Sequence, residues 1–211
     1  MIAALYVETD GCYFGLEGVD PWDEPRDARE YLGPYPVVAH PPCQRWGRFW
    51  HGSTCKPHQY QLGDDNGCFA HALSVVRRFG GVLEHPADSL AWKHFGLTPP
   101  PRHLGWRRAD MHDGWTCYVE QGHYGHASRK PTWLYVSGVD KPHLQFGPGQ
   151  QRLPQWMIDR YGYEKARRIS VVAMVGGKDK TKIRNATPEP FRDILISMAR
   201  SVKLPSLEAA E

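Results

Sequence analysis

Apolar and polar positions along the chain follow two periods, one close to 2 and one close to 3.6. Residues 3–8 (AALYVE) are an apolar, aromatic run that predicts a strand. Thr9-Asp10-Gly11 supplies a hairpin-type turn, and residues 12–20 (CYFGLEGVD) predict a second strand beside the first. Residues 24–31 predict a short helix with Pro25 in its first turn. PVVA at 36–39 predicts a short buried strand. Phe69, Leu73, Val76 and Phe79 recur at helical spacing and predict a helix over 66–79, stopped by Gly80-Gly81. A strand follows at 82–84, a helix at 88–95 and a proline-rich loop at 98–102. Alternation predicts strands at 116–120 and 132–136, and helices are expected at 154–168 and 189–202. The last helix turns Phe191, Ile194, Leu195 and Met198 inward.

Strands alternating with helices predict an α/β fold with a mostly parallel sheet flanked by helices. In such sheets, sites collect at the carboxyl ends of strands. Two of the expected strands run into polar segments there: His40-Pro41-Pro42-Cys43-Gln44 and Glu84-His85-Pro86. Residues 137–153 are rich in Gly, Pro and Gln and predict a loop or an inserted lobe.

Composition narrows the picture. The 211 residues suit one domain, or one domain with a small appendage. A hydrophobic fraction of 41% with 12% aromatics excludes a disordered chain. No run approaches the ~20 apolar residues of a membrane span, and MIAALYVETDG lacks the basic and apolar regions of a signal peptide. A cytoplasmic protein is therefore expected.

The net charge of +3 is small, but Lys165, Arg167, Arg168, Lys178, Lys180, Lys182 and Arg184 face only Asp179 within 165–184. Such a stripe neutralises phosphates or simply solvates a helix end. Five cysteines, an odd number without any CxxC, fit a reducing compartment. Cys55, His58, Cys68 and His71 have the residue types of a zinc site, but Cys68 and His71 fall on the 66–79 helix, and no metal is assigned.

The polar segments carry the candidate chemistry. Two prolines stiffen the loop before Cys43 and hold its thiol at the sheet's edge, as covalent catalysis requires; a buried cysteine packing as a small hydrophobe is the alternative. Glu84 at a strand end is costly to bury unless paired, and its carboxyl suits the hydrogen-bonding edge of a base; a surface ion pair or helix cap is the alternative. Arg129 and Lys130 precede the 132–136 strand, and Asn185-Ala186-Thr187-Pro188 leads into the last helix.

In order, PPCQ (41–44), LEHP (83–86), YGHASRKPT (124–132) and RNATPEPF (184–191) resemble the DNA cytosine-C5 methyltransferase superfamily. That family has Pro-Cys-Gln, Glu-Asn-Val, Tyr-Gly…Gln-x-Arg-x-Arg and Asn-x-x-Pro in the corresponding places. The combination AHPPC…GGVLEHP…RKPTWLY also resembles short phage or prophage proteins, implying a phage-type role in DNA modification. The resemblance covers most of residues 36–202 and implies a Rossmann-like methyltransferase core from 1–136 with 185–204. A small inserted lobe or reduced recognition region at 137–184 and a flexible tail at 205–211 complete the implied organisation.

The implied chemistry is addition of the Cys43 thiolate to C6 of cytosine. Glu84 and Lys130 assist, and His40, Pro42, Gln44, His85, Arg129, Asn185 and Thr187 line the substrate. Lys178, Lys180, Lys182 and Arg184 would meet the DNA backbone, and a flipped base would enter from the duplex. S-adenosylmethionine is the implied methyl donor, with Gly11, Asp20 and Asp23 at its site. The pattern departs from the family at His85 and Pro86, and by placing Ser128, Lys130 and Thr132 where Gln, Arg and Arg stand. An N-terminal β-hairpin would replace the cofactor loop and helix. Two other functions fit the same residues: C5 modification of another pyrimidine or a free nucleotide with a different donor, and a catalytically degenerate fold that binds nucleic acid or a host protein as an anti-defence factor. A homodimer or a partner subunit is left open.

Overall fold

The computed structural model describes residues 1–52, 59–148, 153, 155–168 and 183–203. Seven strands form one sheet: β1 (Ile2–Leu5), β2 (Val19–Trp22), β3 (Val37–Ala39), β4 (Gly81–Pro86), β5 (Arg107–Arg108), β6 (Trp115–Glu120) and β7 (Pro131–Ser137). Their spatial order is β2-β1-β3-β4-β7-β6-β5. The first four strands are parallel, whereas β7 is antiparallel to both β4 and β6, and β5 is antiparallel to β6. The sheet is therefore mixed, with a parallel half carrying the N-terminal strands.

Both faces of β1, β3 and the first residues of β4 are covered, so these stretches are continuously apolar rather than alternating, whereas β2 is a half-buried edge strand. Ala3, Leu5, Val37, Ala39 and Leu83 face helices α1 (Cys68–Phe79) and α2 (Leu90–His94) in one core with Phe69, Val76 and Trp92. Ile2, Ala4, Val38 and Val82 face the opposite way, onto Phe191, Leu195 and Met198 of α5 (Glu189–Arg200). Within β4 the same alternation puts Glu84 on the α5 side with Val82, and His85 on the α1 side with Leu83. Two short helices, α3 (Gln155–Tyr161) and α4 (Tyr163–Arg168), pack Met157 and Ala166 against Ala127, Leu153 and Ile183. Among the described residues, no helix is long and apolar enough to cross a membrane.

The N-terminal hairpin does not form. β1 and β2 run parallel, with Ile2 opposite Val19 and Leu5 opposite Trp22. The second strand is Val19–Trp22, not 12–20, because residues 9–18 fold into successive turns that use left-handed Asp10, Gly15 and Gly18. The connection contains neither a β-turn return nor a helix. The helix expected at 24–31 is reduced to a single 3-10 turn, Ala28–Glu30, capped by the Asp27 carboxylate. The 154–168 helix breaks into α3 and α4 at Gly162, whose φ of 75° suits a residue without Cβ. The two-residue β5, Arg107–Arg108, has no hydrophobic signature and was not anticipated from periodicity.

The chain order from β1 outward to β2 and then back across to β3 creates a reversal between β1 and β3. A crevice opens at such a reversal, beyond the carboxyl ends of the strands. The His40–Gln44 loop leaves β3 at that point and is anchored by Trp46. The Trp46 ring is 2% exposed and packs on Phe69, His94 and Phe95 at centroid distances of 5.8, 5.2 and 5.7 Å. Its indole N–H donates to Asp65 Oδ2 at 2.7 Å, and its backbone N–H donates to the Cys43 carbonyl at 3.0 Å. Asp65 also accepts from the Gly67 and Phe69 amides, which starts α1. Trp46→Ala should cost about 3–5 kcal/mol. Trp46→Phe, which keeps the ring but removes the indole donor, should cost about 1–2 kcal/mol. Urea denaturation midpoints of the two variants test this order.

Candidate active site

Four of the sequence motifs meet at the carboxyl ends of β3 and β4. β4 extends past the expected 82–84 to Pro86, and Glu84, 7% exposed, lies near its carboxyl end. Its Oε2 lies 3.0 Å from His40 Nδ1, and its Oε1 accepts from Gln121 Nε2 at 2.9 Å. An ionised carboxylate only accepts hydrogen bonds, so His40 Nδ1 carries the proton. Gln121 Nε2 also donates to Thr132 Oγ1 at 3.0 Å, and Thr132 donates in turn to the Lys130 carbonyl at 3.0 Å. Burial pushes the Glu84 carboxyl up, but the His40 hydrogen bond and the Lys130 ammonium, with smaller electrostatic contributions from the His40 and His85 rings, outweigh it and hold the group down at about 2. Glu84 is therefore a fixed anion at neutral pH.

Lys130 begins the turn into β7 with a left-handed φ of 42°. Its ammonium donates to the Asn185 carbonyl at 3.2 Å and the Ala186 carbonyl at 2.7 Å. Burial lowers its pKa, while Glu84 and Cys43 draw it back upward. His126 reinforces this tie. Its Nδ1 accepts the Ser128 amide at 3.0 Å, so Nε2 carries the proton that reaches the Ile183 carbonyl at 3.1 Å.

Cys43 is half-buried on the loop after β3. Burial raises its thiol above the ordinary value and Glu84 adds to the rise; the neighbouring Arg184 guanidinium acts in the opposite sense, by charge and by hydrogen bonding. Cys43, Glu84, Lys130, His40 and Arg184 therefore share one electrostatic neighbourhood. Arg184, expected on the DNA backbone, sits beside the thiol. Pro42 and Gln44 flank Cys43 and are exposed, as is Arg129, while Thr187 is half-buried in the loop before α5. His85 lies on the other face of β4. It is 1% exposed, stacked 6.2 Å from Trp92 and edge-on to Phe69 at 5.1 Å, so it supports the strand end from beneath. Lys178, Lys180 and Lys182 lie outside the described residues, as do Cys55, His58 and the 205–211 tail.

Two members of the site carry no sequence signature. Gln121 opens a 3-10 turn (Gln121–Tyr124) directly after β6 and is fully buried. Tyr13 comes from the β1–β2 connection, where its hydroxyl reaches His40 Nε2 at 2.8 Å. A Gln-Gly pair after a strand and a Cys-Tyr pair after a turn resemble ordinary loops; only the sheet order brings them to Glu84.

The residues that the resemblance assigns to S-adenosylmethionine do not fit it. The Gly11 amide donates to the Glu8 carbonyl at 2.9 Å, and a Cβ there would lie 2.7 Å from the Glu8 oxygen, so Gly11 serves a tight turn. Asp20 is engaged on both oxygens, by Arg26 at 2.5 and 3.2 Å and by the Trp22 indole at 2.8 Å. Asp23 accepts the Thr9 hydroxyl at 2.8 Å and the Arg26 amide at 3.3 Å. No helix N-terminus follows β1. His71 also has both ring nitrogens engaged, donating from Nε2 to the Tyr31 carbonyl at 3.1 Å and accepting the Tyr6 hydroxyl on Nδ1 at 2.9 Å. Among the described residues, no group of three or more His, Cys, Asp and Glu could hold a metal ion. The chain matches no protein-family model, no curated protein and no solved structure.

Burial lowers His85 to about 4, below its unfolded value of about 6.5. Its contribution to stability is therefore present above pH 6.5 and lost as pH falls toward 4, because the unfolded chain takes up the proton first. His85→Phe, which preserves the stack, should flatten the decline in urea midpoint between pH 6.5 and 4. Glu84 acts in a lower window: its folded value lies below the unfolded ~4.3, so its contribution disappears between about pH 4.3 and 2. Glu84→Gln should remove that second decline. Urea titrations at half-unit pH steps separate the two effects.

Proposed function

We propose that this chain is a pyrimidine-directed enzyme of the DNA cytosine-C5 modifying type, on a doubly wound, Rossmann-like core. The observation that carries the reading is the meeting of Cys43, Glu84 and Lys130 at the β3 and β4 strand ends. The parallel order β2-β1-β3-β4, with its reversal between β1 and β3, supports the doubly wound core. The four motifs supply the analogy to the methyltransferase family.

The chemistry follows from the side chains. Cys43 gives its proton to solvent, and the Sγ lone pair forms a bond to C6 of the pyrimidine. The C5–C6 π pair moves onto C5 and, through C4, onto N3, which takes a proton from water. Glu84, ionised, accepts hydrogen bonds from the exocyclic amine and from N3 once N3 gains a proton, while the cations Lys130 and Arg184 offset the negative charge that Cys43 and Glu84 bring together. C5 can then take a proton from water. Loss of the original C5 hydrogen and expulsion of Sγ return the base. This cycle needs no donor and exchanges the C5 hydrogen with solvent. Alkylation at C5 would need an electrophile, and because the β1–β2 end does not fit S-adenosylmethionine, no step is drawn through it.

The occupied side chains around β1 and β2 also favour a second reading, in which the fold binds nucleic acid or a host protein without turnover. Trapping on 5-azacytosine DNA, whose N5 takes the proton and leaves no C5 hydrogen to expel, and release of tritium from [5-³H]cytosine DNA separate the two. The enzymatic reading requires a Cys43-dependent adduct or tritium release, with Cys43→Ala giving none and Glu84→Gln slower by on the order of 10²-fold. DNA retention without either signal, in both wild type and Cys43→Ala, supports the binding reading. Because burial keeps the Cys43 thiol above its ordinary value, the adduct rate should rise about tenfold per pH unit between pH 6 and 8.

A further inference from the structure

His40 stands between two partners that fix its ring. Tyr13 is 3% exposed, and burial keeps its phenol protonated well beyond the ordinary range. Its hydroxyl lies 2.8 Å from His40 Nε2, and the two rings are 5.3 Å apart at their centroids. Ionised Glu84 can only accept, so the imidazole proton sits on Nδ1, 3.0 Å from Oε2, and the Nε2 lone pair left on the other side of the ring accepts the Tyr13 hydroxyl. The loop that carries Tyr13 is itself fastened, because Arg192 of α5 donates to the Cys12 carbonyl at 2.8 Å. The opposite carboxylate oxygen is held by Gln121, which Thr132 holds in turn.

We propose that Tyr13 and His40 form a positioning pair for Glu84: Tyr13 supports the Nδ1–H tautomer of His40, and His40 fixes the Glu84 carboxylate as an oriented anion facing the pyrimidine edge. The β1–β2 connection thus serves the reacting end of the site in place of a cofactor cradle. The hydrogen bonds of the pair lead to Glu84, and it acts through that carboxylate. Other titratable or charged groups act on the same neighbourhood: Cys12 and Arg192 act on Tyr13, and Lys130, His85 and Cys43 interact with Glu84. The test must therefore isolate the His40 contact. The inference rests on Glu84 as the group that holds the base, but the contact itself can be measured without turnover.

Asn and Gln distinguish the two ring nitrogens, since an Asn amide nitrogen falls near the place of Nδ1 and a Gln amide nitrogen near that of Nε2. The experiment is a ¹³C-detected titration of the Glu84 carboxyl, with ¹⁵N shifts of the His40 ring, in wild type, His40→Ala, His40→Asn, His40→Gln and Tyr13→Phe. The wild-type ring should show a protonated Nδ1 and an unprotonated Nε2 at pH 7.5. The Glu84 midpoint should rise by about one unit or more in His40→Ala and His40→Gln and remain near wild type in His40→Asn. Tyr13→Phe, which removes one hydroxyl, should redistribute the tautomer and raise the Glu84 midpoint less; it carries the test if His40→Ala does not fold. On 5-azacytosine DNA, adduct formation should slow by about 10- to 100-fold in His40→Ala and recover substantially in His40→Asn. An unchanged Glu84 midpoint in both His40→Ala and Tyr13→Phe, or an Nε2-protonated ring in the wild type, overturns the positioning pair. If the titration behaves as expected while the wild type forms no adduct and releases no tritium, the pair stands and the enzymatic reading fails.

Discussion

A carboxylate buried at the end of β4 organises the site. Removing an ion of this size from water costs several kcal/mol unless partners replace its hydration. Glu84 finds those partners on four other segments: His40 after β3, Gln121 after β6, Lys130 before β7 and, through His40, Tyr13 from the β1–β2 connection. The sheet order makes the gathering possible. Because β7 lies between β4 and β6, the turn from β6 toward β7 arrives beside the end of β4, and because β3 is the other neighbour of β4, its exit loop arrives from the opposite side.

The face on which each residue stands decides its chemistry. Adjacent residues of β4 point to opposite cores, so Glu84 meets the polar groups on the α5 side while His85 is enclosed by Phe69 and Trp92. The His85 ring then supplies a stiff, neutral floor under the strand end. Cys43 feels a similar opposition within one loop. Burial and Glu84 disfavour its thiolate, whereas Arg184 favours it. Such a thiol is held back in the free protein and is released best when a substrate neutralises or displaces its surroundings.

Much of this was legible in the chain. The strands now seen as β3, β4, β6 and β7 and the helices α1 and α5 follow from apolar periodicity, and both strand-end motifs lie where the sheet puts them. The legible parts are those with long apolar stretches or stiff prolines, whose local preference agrees with their tertiary setting. β2 was misplaced because VDPW is a half-buried edge strand containing Pro21, with no apolar run to announce it. The 24–31 helix shrank because Asp27 adopts a left-handed conformation and turns its side chain back onto the Arg29 amide. Gln121 and Tyr13 were illegible for a different reason. Their roles depend on hydrogen bonds that span 37 and 27 residues, and no local pattern encodes a partner at that distance.

The bond from Arg192 to the Cys12 carbonyl joins positions 180 residues apart. Chains emerge from the ribosome N-terminal end first, and early segments begin to fold before later ones exist. Tyr13, His40 and Glu84 are all made within the first half of this chain, yet the loop that brings Tyr13 inward is fastened by the last helix. Strands β1 to β4 are made early, but one face of their sheet and the candidate site at its carboxyl end are both completed only after α5 has been synthesised and docked. A nascent chain therefore carries Tyr13, His40 and Glu84 before the contact that fastens the Tyr13 loop exists, and closure of the second core and completion of the candidate site fall together at the end of synthesis.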